Sequence, residues 1–169
     1  LPRFTILIHT VGSGAARQSE PAMPPIATGP VHWDWLFHPG GNRADERLWT
    51  WATDPLPMWA ETAAITMPAL RLADHRMRYL DFEGEVGGGR GSVRQLVTGG
   101  YELRQQTECC FEAVLRWSSQ RSGDAGGLAD GGAAEIRFFT TTGDQAGGAT
   151  RWEVTVCCLG GGNQERMAE

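Results

Sequence analysis

The residue types able to do chemistry gather in two stretches of this chain. The first is Val31-His32-Trp33-Asp34-Trp35-Leu36-Phe37. Side chains alternate between the faces of a β-strand, so His32, Asp34 and Leu36 share one face and Trp33, Trp35 and Phe37 the other. An imidazole beside a carboxylate makes a ligand pair for a divalent transition ion. His9 ends the strand-like run Arg3-Phe4-Thr5-Ile6-Leu7-Ile8-His9 and offers a third ligand. A His-His-Asp set leaves coordination positions open to water or substrate. The second stretch runs from Ala69 to Glu83, where His75 and Tyr79 stand four apart among arginines. A His and a Tyr beside Arg71, Arg76, Arg78 and, further on, Arg90 form a phosphate cradle, with His75 as general acid or electrostatic stabiliser. Structural roles compete with each of these. A lone His-x-Asp pair on a strand more often makes a hydrogen bond, the arginines suit a wet surface, and His38 beside Pro39-Gly40 reads as a solvated turn residue.

Strands must hold these groups in place. Alternation and β-branched or aromatic enrichment predict strands at residues 3–9, 31–37, 48–53 and 91–97, and near 108–117, 134–141 and 151–159. Gly99-Gly100 reads as a turn. Residues 11–30 are rich in Gly, Ala, Ser and Pro and form a long loop, as do 118–133 and 142–149. A short helical turn is expected around Trp59-Ala60-Glu61-Thr62-Ala63, confined by Pro57 and Pro68. Short strands, Gly and Pro turns and little helix predict a mainly β fold. The expected architecture is a compact antiparallel β-barrel with one or two short flanking helices. It forms one domain over residues 1–169, with 11–30 as an insertion loop and 160–169 as a tail. Trp33, Trp35, Trp49 and Trp51 alternate as core residues do.

Composition removes whole classes of function. All 15 basic residues of this 169-residue chain are Arg, and none is Lys. Schiff-base lysines, lysyl-nucleotide ligases and Walker-type NTPases are therefore out. The net charge of −5 argues against holding nucleic acid by bulk charge and leaves room for a local basic cleft. No apolar run is long enough to span a membrane, and Phe4–Ile8 is too short for a signal-peptide core, so a cytoplasmic location without membrane attachment is expected. The cysteines form two adjacent pairs, Cys109-Cys110 and Cys157-Cys158. Zinc ligands need a gap of about two to four residues, so the expectation is one buried and one exposed thiol per pair.

Three strings in order carry a family resemblance. They are His32-Trp33-Asp34-Trp35-Leu36, then Leu48-Trp49-Thr50-Trp51, then Asp74-His75-Arg76-Met77-Arg78-Tyr79-Leu80-Asp81-Phe82-Glu83-Gly84 ahead of a glycine-rich run. They resemble the 3′-phosphoesterase domain of bacterial DNA ligase D and its stand-alone relatives, over roughly residues 3–102. The resemblance implies a β-barrel enzyme that uses Mn²⁺, or another divalent transition metal, to process nucleic-acid ends. It removes a 3′-terminal ribonucleoside and then the 3′-phosphate, in DNA repair beside a ligase. Carried over by position, His9, His32 and Asp34 are the metal ligands, and His75 and Tyr79 contact the scissile phosphate. Nucleic-acid 3′ ends are the implied partner, with a ligase or repair protein as a further one and a monomer as the expected state. The family places Arg where this chain has Leu36, which would lie on the metal face and clamp a phosphate. It also keeps its first His closer to the second than His9 is to His32. A member that binds nucleic acid or a repair partner without turnover is therefore the alternative reading.

Overall fold

The computed structural model describes residues 1–12, 29–41, 46–56, 64–118, 131–142 and 150–159. In these, the alternating runs form β1 (Arg3–Val11), β2 (Val31–Phe37), β3 (Arg47–Thr53), β4 (Ile65–Arg71), β5 (His75–Arg76), β6 (Gly84–Glu85), β7 (Gly91–Gln106), β8 (Cys110–Trp117), β9 (Gly132–Thr142) and β10 (Thr150–Leu159). Pairing follows the order β1-β2-β3-β4-β10-β9-β8-β7, and β1 pairs back onto β7. Eight antiparallel strands thus close a barrel, which leaves the main sheet no open edge along that seam. The only helical element among the described residues is a 3-10 turn at Met77–Leu80, in place of the expected flanking helices. The helical turn expected around Trp59–Ala63 lies outside the described residues. So do the tail 160–169 and most of the loops 11–30, 118–133 and 142–149.

The inward face of each strand is apolar, and the lumen is filled by rings. Trp35, Phe37, Tyr101, Phe111 and Phe138 are almost completely buried there. Phe37 meets Phe111 at 4.6 Å between centroids, and Trp51 stacks on Phe138 at 4.6 Å. A barrel of about eight strands has an interior just wide enough for side chains, and these aromatic residues occupy it. The alternating tryptophans are core residues, as their spacing predicts.

Two stretches depart from the sequence reading. β7 runs straight through Gly99-Gly100, which the sequence marked as a turn. The glycines serve close packing instead, since a Cβ on Gly99 would sit 2.1 Å from the Arg116 carbonyl oxygen. β4 contains Pro68, which pairs with Glu153 of β10. Among the described residues β3 joins β4 only at Leu70 and Arg71, so none of them pairs with Pro68 on the other edge of β4 to miss its N–H.

A second apolar layer lies outside the barrel. β5 pairs with β3 and β6 with β7, while β2 and β1 lie between β3 and β7. Residues 77–83 therefore strap across the outer face of β1 and β2. Leu7, Leu36, Leu48 and Val93 point outward from the barrel and pack with Tyr79, Leu80 and Val86 of the strap. A β-bulge helps: Ile6 faces Val97 but Leu7 faces Gln95, so Leu96 is extra and the alternation of β7 shifts. Gln95 then faces the strap, where its N–H donates to Glu83 Oε1 at 2.9 Å and its Nε2 donates to Leu80 O at 2.7 Å.

Candidate metal centre and arginine cleft

His32 and Asp34 share the outer face of β2, as alternation requires. His9 of β1 is the register partner of His32. The long loop between them is an excursion whose ends meet, with Val11 N–H donating to Pro30 O at 2.8 Å. His9 Nδ1 lies 3.2 Å from Asp34 Oδ2, and His32 Nε2 lies 3.2 Å from Asp34 Oδ1. The two imidazoles are 4.6 Å apart at their centroids. One ligand atom from each residue falls within 4.8 Å of the others. Ligands held about 2.1 Å from one ion lie roughly 3.0–3.5 Å from each other, and each imidazole stands at such a distance from one of the two Asp34 oxygens. The donor set of two nitrogens and a carboxylate oxygen suits a divalent transition ion.

Burial and charge support the same fit. His32 is fully buried and Asp34 is 4% exposed, while His9 reaches partly to solvent. Burial pushes the Asp34 carboxyl up, but the imidazoles of His32 and His9 outweigh it and hold the group down at about 2. Asp34 Oδ1 is buried without an aligned hydrogen bond, an oxygen placed to meet a cation. His9 Nε2–H donates to the Arg90 carbonyl at 3.0 Å, the outer contact that orients a metal-binding histidine.

Beside this cluster opens a cleft of about 280 Å³ lined by Arg47, Ala73, Asp74, His75, Arg76, Arg78, Tyr79 and Arg90. Arg90 belongs to both places, lining the cleft while its carbonyl holds His9. His75 Nδ1–H donates to Ala73 O at 2.9 Å, which leaves Nε2 for a ligand. The ring of His75 meets that of Tyr79 edge-on at 5.5 Å. Arg78 lies over the Tyr79 ring at 5.1 Å and donates to its hydroxyl at 3.4 Å. Arg47 and Arg76 are directly opposed across β3 and β5. Like charges so placed repel unless an anion lies between them.

The structure sorts the sequence candidates. His9, His32 and Asp34 converge; His75, Tyr79, Arg76, Arg78 and Arg90 gather in the cleft. Arg71 does not line it. Its guanidinium donates to Thr50 O at 2.9 Å and to Leu72 O, pairs with Asp74, and stacks 4.6 Å over Trp51, so it ties β4 to β3. Arg47 was not singled out from the sequence, because only its pairing with Arg76 brings it to the cleft. His38 is no solvated turn residue: it is largely buried against Glu46 at 3.2 Å. Cys110 is buried and Cys109 exposed, as expected, whereas Cys157 and Cys158 are both half-buried; no disulfide joins any of the four. Leu36 shares the face of His32 and Asp34 but lies fully buried beneath the strap, packed with Leu7, Leu48, Tyr79 and Leu80. A scan against protein-family models gives no match to this chain, and a search of curated proteins gives none either.

Proposed function

We propose that this barrel is a metal-dependent phosphoesterase acting on the 3′ ends of nucleic acid, of the kind the DNA ligase D phosphoesterase domains represent. The observation that carries the reading is one residue wide: Arg90 joins a His-His-Asp cluster to a cleft lined by four arginines, a His and a Tyr. In a chain of net charge −5, such a concentration of positive charge marks an anion site.

His9, His32 and Asp34 would hold the ion, with Mn²⁺ as the proposed occupant. When bound, the ion supplies a Lewis acid that neutralises charge on a phosphate oxygen. The remaining work falls to the chain. Arg47, Arg76, Arg78 and Arg90 attract and orient the phosphate and stabilise the charge that grows on it. His75, tied back through Nδ1, would act as the imidazolium, giving the Nε2 proton to the leaving oxygen and keeping the Nδ1 proton on the Ala73 carbonyl. The Tyr79 hydroxyl, polarised by Arg78, donates to a second phosphate oxygen. The strap fixes both residues relative to β1 and β2 through its apolar underside and its two hydrogen bonds to Gln95. A non-catalytic binder would need the cleft but not a proton donor, and the tethered His75 favours the enzyme.

The test is release of phosphate from a 3′-phosphate-ended primer with Mn²⁺. Wild type should release it, and His32→Ala should not. Release from wild type no greater than from His32→Ala would refute the assignment.

A further inference from the structure

The glycine-rich turn between β6 and β7 is built tightly onto β1. Val86 N–H donates to Gly91 O at 2.7 Å and closes the turn, and inside it Arg90 Nε donates to Gly87 O at 3.0 Å. Gly91 has a φ of +97°, and a Cβ there would sit 1.9 Å from the Thr10 carbonyl oxygen. A Cβ on Gly12 would sit 2.3 Å from the Gly89 oxygen. Backbone therefore lies directly on backbone, and only glycine permits it. This contact sets the position of the Arg90 peptide over the end of β1, where its carbonyl accepts from His9 Nε2–H. A carbonyl can only accept, so Nε2 carries the proton and the lone pair His9 can offer a cation is on Nδ1. Nδ1 is the atom that faces Asp34 Oδ2.

We infer that the peptide carbonyl of Arg90, held by the Gly87–Gly91 turn, is the positioning group that selects Nδ1 of His9 as the metal ligand, while the guanidinium of the same residue serves the anion cleft. The inference rests on the metal reading above. It divides Arg90 into two parts with separable effects. Removing the side chain costs the Nε bond to Gly87 O but keeps the Val86–Gly91 hydrogen bond and the glycine contacts that hold the carbonyl. Displacing the turn moves the carbonyl and spares the composition of the cleft.

Zn²⁺ and inorganic phosphate are the probes, with binding measured by calorimetry on wild type, Arg90→Ala and Gly91→Ala. Loss of an outer contact to a metal-binding histidine weakens metal affinity about 10–100-fold, so Gly91→Ala should lose Zn²⁺ affinity by that factor while Arg90→Ala stays within about twofold of wild type and binds phosphate less well. Zinc-loaded wild type provides a second measurement that does not depend on any variant folding. Nitrogen-15 imidazole spectra should show the proton of His9 on Nε2. A folded Gly91→Ala that binds Zn²⁺ like wild type, an Arg90→Ala that loses as much Zn²⁺ affinity as Gly91→Ala, or a zinc-loaded His9 with its proton on Nδ1 each overturns the inference alone. Wild type that takes up no Zn²⁺ refutes the metal centre, and the inference with it.

Discussion

Leu36 offers the sharpest test of how the strap and the site depend on each other. Its side chain is fully buried outside the barrel, between Leu7 and Leu48 below and Tyr79 and Leu80 above. Truncating a leucine in such a place removes about 3–5 kcal/mol, the transfer term plus the unfilled cavity. For a domain of this size a urea m-value of about 2 kcal/mol/M converts this into a fall in midpoint of roughly 1.5–2.5 M for Leu36→Ala. The substitution that introduces the arginine found at this place in the ligase D phosphoesterase domains, Leu36→Arg, should cost at least as much. A guanidinium at position 36 would be taken out of water among Leu7, Leu48, Tyr79 and Leu80, at a heavy desolvation cost. The assay is urea unfolding followed by tryptophan fluorescence, with phosphate binding measured on whatever remains folded. An arginine at 36 would then be a lesion in the strap's seat, and not a recovered clamp. A Leu36→Arg protein as stable as wild type that binds phosphate more tightly would refute this placement of the strap, and would revive the view that the chain lacks an essential arginine.

Further outcomes follow from other contacts. His75→Ala should lower phosphate release by about 10²–10⁴-fold while leaving Zn²⁺ binding intact, measured by turnover and calorimetry on the same preparation. A divalent ion present at about 100 times its dissociation constant should stabilise the fold by about 2.7 kcal/mol, seen as a rise in melting temperature that Asp34→Asn abolishes. Tyr101 is buried, and its hydroxyl donates to His38 O at 2.6 Å. Burial raises its phenol far above the ordinary tyrosine value. The unfolded chain therefore loses that proton first, and stability should fall by about 1.4 kcal/mol per pH unit from about pH 10 upward. Denaturant titrations at pH 9 and 11 check this, since Tyr101→Phe should flatten the decline. Gly99→Val should destabilise strongly, because its side chain would meet the Arg116 backbone; circular dichroism melts would show it.

Local pattern carried the sequence reading as far as local pattern can. Alternation of polar and aromatic residues gave β2 its observed bounds and placed His32 and Asp34 on one face. The same period put the tryptophans inside. His9 was legible as a strand end, but its meeting with His32 depended on the long connection closing back on itself, as the Val11–Pro30 hydrogen bond shows. Arg47 and Arg71 were the reverse of their appearance. Arg71 lies in the arginine-rich stretch yet is taken up by Thr50, Leu72, Asp74 and Trp51, whereas Arg47 lies far off in sequence and reaches the cleft through a two-residue strand pairing. Gly99-Gly100 and Pro68 misled for a related reason. Both are breakers by propensity, and tertiary context overruled both: close backbone packing at Gly99, and pairing on the β10 side at Pro68. The second apolar layer, and with it the place of Leu36, had no sequence signal, because one outward leucine among polar neighbours looks like surface until the strap is known.

The seam between β1 and β7 orders events on the ribosome. The three proposed metal ligands lie within the first two strands, which pair as neighbours in sequence, so this hairpin can form early in synthesis. The far side of β1 must wait until its partners, from Gly91 to Gly100, have emerged. Contacts so distant in sequence make closure slow, on the millisecond-to-second scale of non-local β proteins. Over that interval the nascent chain carries a pair of imidazoles and a carboxylate on an open ribbon, without the Arg90 carbonyl that later orients one of them. A cation captured then would meet a looser cage than the finished one, and only closure of the barrel would tighten its hold.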